Sequence, residues 1–207
     1  MNVYVESNFV LELALQQQQS ASCESMLHQC EEGRCRILVP AYCLAEPHET
    51  LTRRRKERTT MKIELDAQLE QIARTAANAP QLSGFRTVTD LLIRSTEQES
   101  RSLDEVSDRL QRVAEVIPLD ASILHDSSRY RRAHRLSPQD AIVYASVLTY
   151  LARGYEQKSY FVSRDRHFDD PDVVGELGGF NCELVRSFDH GREVIERSDF
   201  RAGPRLD

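Results

Sequence analysis

No stretch of this 207-residue chain approaches the roughly 18 consecutive apolar residues that a membrane-spanning helix needs. The N-terminus, Met1-Asn2-Val3-Tyr4-Val5-Glu6, puts no basic stretch ahead of an apolar run, so no secretory signal is expected. Excess positive charge is missing too. Against 33 Asp and Glu stand 27 Lys and Arg, a net charge of −6, which excludes a surface that gathers nucleic acid by its overall field. There is no Gly-rich phosphate loop, no nucleophile elbow and no HExxH helix. The five cysteines are odd in number and follow no framework, as expected of free thiols in a reducing cytoplasm. Cys30, Cys35, Cys43 and His48 match no paired zinc-ligand spacing. What is present, 40% hydrophobic and 29% charged residues, suits one α/β domain with an insertion.

Four short β-rich apolar segments punctuate a mostly helical pattern: Val3–Val5, Arg36–Val39, Tyr160–Ser163 and Cys182–Val185. Ala114–Leu119 is a fifth candidate, weakened by Pro118. Helix-length spacers between such runs imply βαβ crossovers and a parallel sheet buried on both faces. Two helices carry readable signals. Cys23, Met26, Leu27 and Cys30 make one buried face ahead of Gly33, a C-cap. Ser137-Pro138-Gln139-Asp140 opens the other, which is apolar nearly all round to about Ala152.

The middle of the chain differs. Apolar residues at Leu65, Leu69, Ile72, Ala73 and Ala76, and again at Leu103, Val106, Leu110, Val113 and Ile117, fall in helical steps on either side of the breaker cluster Asn78–Gly84. The reading is a long helical hairpin over 53–113, inserted into a single domain of residues 1–195, with a polar tail at 196–207. The heptad-like stripe from Leu103 serves a helix–helix core within the chain or between two copies.

Acids fall where such a sheet places ligands. Glu6 follows the first strand, Glu46 lies one to two helical turns beyond the second, Asp140 opens the buried helix, and Asp165 follows the strand ending at Ser163. Residues just past the carboxyl ends of parallel strands line one crevice. Carboxylates gathered there repel one another unless a cation neutralises them, and all-oxygen ligation favours Mg²⁺ or Mn²⁺. The reaction class that follows is metal-dependent phosphodiester hydrolysis. Each acid also has a plainer use: Asp140 suits the Ser137 cap, Glu46 and Glu49 a solvated helix face, and Asp165 a loop.

The arrangement resembles the PIN-domain ribonucleases. The likeness is carried by Glu6-Ser7-Asn8, by the Pro-led helix from Pro40 to Glu46, by Asp140-Ala-Ile-Val-Tyr-Ala-Ser-Val-Leu, and by the strand ending Val-Ser-Arg-Asp with Asp165 and Phe168. It covers roughly residues 1–50 and 115–190. The resemblance implies an α/β fold, a PIN-like parallel β-sheet flanked by helices, with the helical hairpin added. It also implies an endoribonuclease that binds Mg²⁺ or Mn²⁺ through Glu6, Glu46, Asp140 and Asp165. Asn8, Ser163 and Arg164 are expected to contact substrate or the pocket's waters. A toxin role with an antitoxin protein partner, pairing of two copies and a cytoplasmic location complete the expectation. The other reading is a PIN-like protein without catalysis that works through its hairpin.

Three departures from the family pattern stand out: Glu6 in place of the usual Asp, His167 where many members have an acid, and Pro47, which kinks the helix or marks its start and makes Glu49 a rival to Glu46. The basic runs Arg53–Arg58 and Arg129–Arg135 read either as phosphate tracks or as solvated faces.

Overall fold

The computed structural model describes residues 1–74, 83–154 and 157–201. Five strands, β1 (Asn2–Val5), β2 (Arg36–Pro40), β3 (Glu115–Ile117), β4 (Ser159–Val162) and β5 (Cys182–Val185), form one sheet in the order β3-β2-β1-β4-β5. Every neighbouring pair is parallel. All residues of β1 and β4 are buried, which is why their sequences run apolar without alternation. Pro118 does not weaken β3 but bounds it, since the strand ends one residue earlier at Ile117.

Eight helices pack on this sheet among the described residues: α1 (Ser7–Leu15), α2 (Ser20–Glu31), α3 (Ala41–Ala73), α4 (Ser83–Val113), α5 (Ala121–Ala133), α6 (Pro138–Leu151), α7 (Pro171–Gly179) and α8 (Phe188–Arg201). Their ends follow from local chemistry. α1 stops at Gln16 in the left-handed region, and Gly33 takes a positive φ just past α2. Asp120 caps α5 by accepting from the N–H groups of Ser122 and Ile123. α8 continues to Arg201, into the stretch read as a tail, and residues 202–207 lie outside the described residues.

The hairpin is present as α3 and α4. His48 faces Asp104, Arg58 faces Glu99, and Lys62 faces Asp90, so residue numbers rise on one helix as they fall on the other. Two expectations are corrected. α3 starts at Ala41, directly after β2, so Pro47 does not mark its start but sits buried in the second turn, where its missing N–H costs one helical bond. Ile117, which continues the three-four stepping of Leu103 to Val113, belongs to β3, not to the helix. Residues 78–82 of the breaker cluster lie outside the described residues; Gly84 is already helical.

The core gathers Tyr4, Phe9, Phe161, Phe168 and Phe188, with Leu103 and Leu110 of α4 joining it. The chain passes from β1 outward to β2 and β3, then returns to the other side of β1 for β4 and β5. The order therefore reverses between β1 and β4, the point at whose carboxyl edge open parallel sheets place their ligand sites. All five cysteines are free thiols, and no helix among the described residues is long and apolar enough to cross a membrane.

Candidate metal centre

Glu6 leaves β1 at the point of reversal and caps α1 with its own side chain. One carboxylate oxygen accepts from the Asn8 N–H at 2.7 Å, and the other from the Ser163 hydroxyl at 3.2 Å. The residue is only 5% exposed. Burial pushes its pKa to about 7; the hydrogen bonds from Asn8 and Ser163 oppose the rise and the charge of Asp165 adds to it.

Ser163 ties the two central strand ends together. While donating to Glu6, its hydroxyl accepts from the Asp165 N–H at 3.0 Å. Asp165 then caps a single 3-10 turn over residues 166–169 by accepting from the His167 N–H at 2.9 Å. Asp140 arrives from the first turn of α6. Its N–H donates to Ser137 Oγ at 3.1 Å, and the Ser137 hydroxyl donates back to its carboxylate at 2.7 Å. His167 bridges the two aspartates, with Nδ1 3.2 Å from Asp140 and 3.1 Å from Asp165. Donor atoms of Asp140, Asp165 and His167 all lie within 4.8 Å of one another.

Glu46 completes the set from α3. Ser7, the residue after Glu6, donates its hydroxyl to the Glu46 carboxylate at 2.5 Å. Burial raises the Glu46 pKa first, and then the charges of Asp140, Glu49 and Asp165 raise it further. Tyr42, one turn earlier, is pushed up to about 12 by burial and by Glu46, Glu49 and Asp140. Burial likewise drives the Cys43 thiol well above its ordinary range, with Glu6 and Glu46 adding to it. The four acids singled out in the sequence therefore share one electrostatic environment. Glu49 is exposed and contributes to it from the rim.

The expected substrate-side residues divide. Asn8 and Ser163 spend their donors on Glu6. Arg164 turns its guanidinium to Glu12, a carboxylate 1% exposed that also accepts from the Gln19 N–H. Ser7 and Ser137 were noted in the sequence as part of a motif and as a helix cap, without the carboxylates they fix, and Glu12 was not noted at all. Glu12 had no signal except an acid on an otherwise apolar helix face, Phe9-Val10-Leu11-Glu12-Leu13.

The ion pairs these four carboxylates make are those of Asp140 and Asp165 with His167. A divalent cation fits this set. It would offset the burial and the mutual repulsion that raise Glu6 and Glu46, and carboxylate oxygens are hard donors suited to Mg²⁺ or Mn²⁺, while the imidazole of His167 is a borderline donor.

A family model described as the PIN domain matches residues 3–168. No curated protein sequence matches the chain. Among solved structures, VapBC2 from Rickettsia felis, bound to a DNA fragment from its promoter, superposes with a TM-score of 0.48 at 12% identity, covering 89% of this chain and 97% of that one.

Proposed function

Because the chain belongs to the PIN-domain family, we propose that it is a Mg²⁺- or Mn²⁺-dependent endoribonuclease acting at the carboxylate pocket. The observation that supports it most is the convergence of Glu6, Glu46, Asp140 and Asp165 at the sheet's point of reversal, where no Lys or Arg among the described residues pairs with any of them.

In this reading the four carboxylates hold the cation. The bound ion would supply Lewis-acid stabilisation of the scissile phosphate and a lowered pKa for the attacking water. Ser7 fixes the Glu46 carboxylate, and Ser163 fixes both Glu6 and the start of the Asp165 turn. Glu46 is preferred over Glu49 because it is half-buried, oriented by Ser7 and raised by Asp140 and Asp165. His167 keeps Nδ1 on the two aspartates and has its second ring nitrogen to pass a proton to the leaving oxygen. Products carry 5′-phosphate and 3′-hydroxyl ends. A toxin role in the cytoplasm, an antitoxin partner and pairing of two copies belong to the same reading through the family.

The test is cleavage of a pooled single-stranded RNA, and of a DNA pool beside it, by purified protein with Mn²⁺, with EDTA, and by Asp140→Asn. RNA cleavage that needs both the metal and Asp140 is the expected result. Cleavage by Asp140→Asn at the parent's rate overturns the mechanism. A second reading, an interaction module without catalysis, draws on the exposed Met61, Ile63, Phe85, Val88 and Leu91 of the hairpin. Absence of cleavage on every pool and with both metals favours it.

A further inference from the structure

The helix that brings Glu46 to the pocket does not end there. At about 100° per residue, Tyr42, Glu46, Glu49, Arg53 and Lys56 follow one another at steps of four, three, four and three, so they form a single stripe along α3. The lower end of that stripe faces the pocket, since Tyr42 and Glu46 both feel the charge of Asp140. Its upper end carries cations. Arg53 and Lys56 lie seven and ten residues beyond Glu46, about 10 and 15 Å along the helix axis at 1.5 Å per residue.

These cations differ from three others of the hairpin, which carboxylates hold. Arg58 is held by Glu99 with two hydrogen bonds of 2.9 and 3.0 Å, Lys62 by Asp66 and Asp90, and Arg109 by Glu24 and Glu31. Arg53, Arg55 and Lys56 are exposed and Arg54 is half-buried, and none of the four pairs with a carboxylate among the described residues, although Glu57 lies one turn above Arg53. Arg53 and Lys56 thus stand uncompensated on the stripe that leads to the acidic site, on a chain of net charge −6, while Arg54 and Arg55 turn off it at about 100° per residue.

We propose that the nucleic-acid strand entering the pocket continues along α3, its backbone phosphates held by Arg53 and Lys56. The proposal rests on the nuclease reading and adds the direction of the strand and the residues that hold it. An acidic pocket repels a polyanion everywhere except at its cation, so contacts beyond the cut must supply binding. α3 supplies them on the continuous face that presents Glu46. The contacts are to phosphate, so they carry affinity and salt dependence but no base preference. The strand must be long enough to reach both ends of the stripe, which makes the substrate an extended single-stranded segment.

The experiment measures binding of a fluorescent 20-nucleotide single-stranded RNA to full-length Asp140→Asn in Mg²⁺ across a salt series, with and without Arg53→Gln/Lys56→Gln. KM and kcat for cleavage are measured in the Asp140 background. Arg112→Gln is the control, an exposed cation that ends α4 just before β3, at the opposite edge of the sheet. The double variant is expected to raise Kd and KM about tenfold or more, to leave kcat within about twofold, and to flatten the log–log salt slope by about 1.4, near 0.7 per lost phosphate contact on a single strand. Arg112→Gln leaves all of these unchanged. If the parent cleaves and the double variant keeps its KM and slope, the track is wrong and the nuclease stands; the free cations then face a protein partner or solvent. If the parent does not cleave, yet the Asp140→Asn protein binds RNA with the slope lost in the double variant, the track stands and the nuclease reading falls. Absence of RNA binding by the parent overturns both.

Discussion

Glu6 shows how one side chain is asked to satisfy the fold and the site together. It terminates β1, caps α1 and closes the floor of the pocket, all with a carboxylate that burial makes reluctant to ionise. Its position was readable because a parallel strand announces its carboxyl end by where its apolar run stops. Asn8 and Ser163 were expected at the pocket, but not as partners of the Glu6 carboxylate, since Ser163 comes from 157 residues away. The raised pKa has a definite consequence for the metal-free protein. Between the ordinary value of 4.5 and about 7 the folded state binds a proton that the unfolded chain has released. Stability conferred by that proton is complete below 4.5 and is lost as pH rises through 7. The full loss is about 3 kcal/mol, at 1.36 kcal/mol per pKa unit. Glu46 adds in the same direction. Urea unfolding in EDTA is therefore expected to give a parent less stable at pH 8 than at pH 5. In Glu6→Gln, which cannot ionise, the difference narrows by about 1–3 kcal/mol. A variant with the parent's full pH dependence shows that burial of Glu6 has been overestimated.

Among the elements, the central strands β1 and β4 were legible almost to the residue, because burial on both faces leaves them short apolar runs, while β3 at the sheet's edge is only half-buried and gave a weaker signal. α6 was equally plain, from Ser137, Pro138 and its apolar girth. α3 was not. Its first turns read as a Pro-led helix from Pro40 to Glu46, but Pro47, which removes a helical hydrogen bond, made a kink or a later start the expectation. Packing decides otherwise, since Cys43, Pro47 and Leu51 are all buried against the domain. That choice is what carries Glu46 into the pocket. Capping of α6 matters in a different way, because Ser137 bonds both the backbone and the carboxylate of Asp140. Ser137→Ala and Asp120→Ala, each removing one N-cap, should cost about 1 kcal/mol apiece in thermal or urea unfolding. Only Ser137→Ala is expected to weaken Mn²⁺ binding, by about tenfold or more in a titration, because a ligand loses the partner that orients it. Equal Mn²⁺ affinity in the two variants means that the Ser137 hydroxyl serves the helix and not the metal.

At the scale of the whole molecule, the hairpin raises the question of what a domain needs. Its proximal half is part of the core: Leu51, Leu103 and Leu110 join the same cluster as the sheet, and α1 packs along α4. The distal half is another matter. Beyond Leu51, Leu69 is buried on α3 without belonging to that cluster, while Met61, Ile63, Val88 and Leu91 are more than half exposed. The ion pairs that link the distal helices are Arg58–Glu99 and Lys62–Asp90. A segment that lends so little apolar burial to the core should be removable. Replacing residues 62–92 by a short Gly/Ser turn keeps Arg58 and Glu99 as the last bridge closing the shortened hairpin, and keeps Arg53, Lys56 and every pocket residue. The truncated protein is expected to unfold cooperatively, within a few degrees of the parent's Tm, and to bind Mn²⁺ with the same affinity. A collapse of the transition would mean that the hairpin, although read from the sequence as an insertion, folds as one unit with the sheet. In that case residues 53–113 would be part of the domain's own stability and not an insertion carried on it.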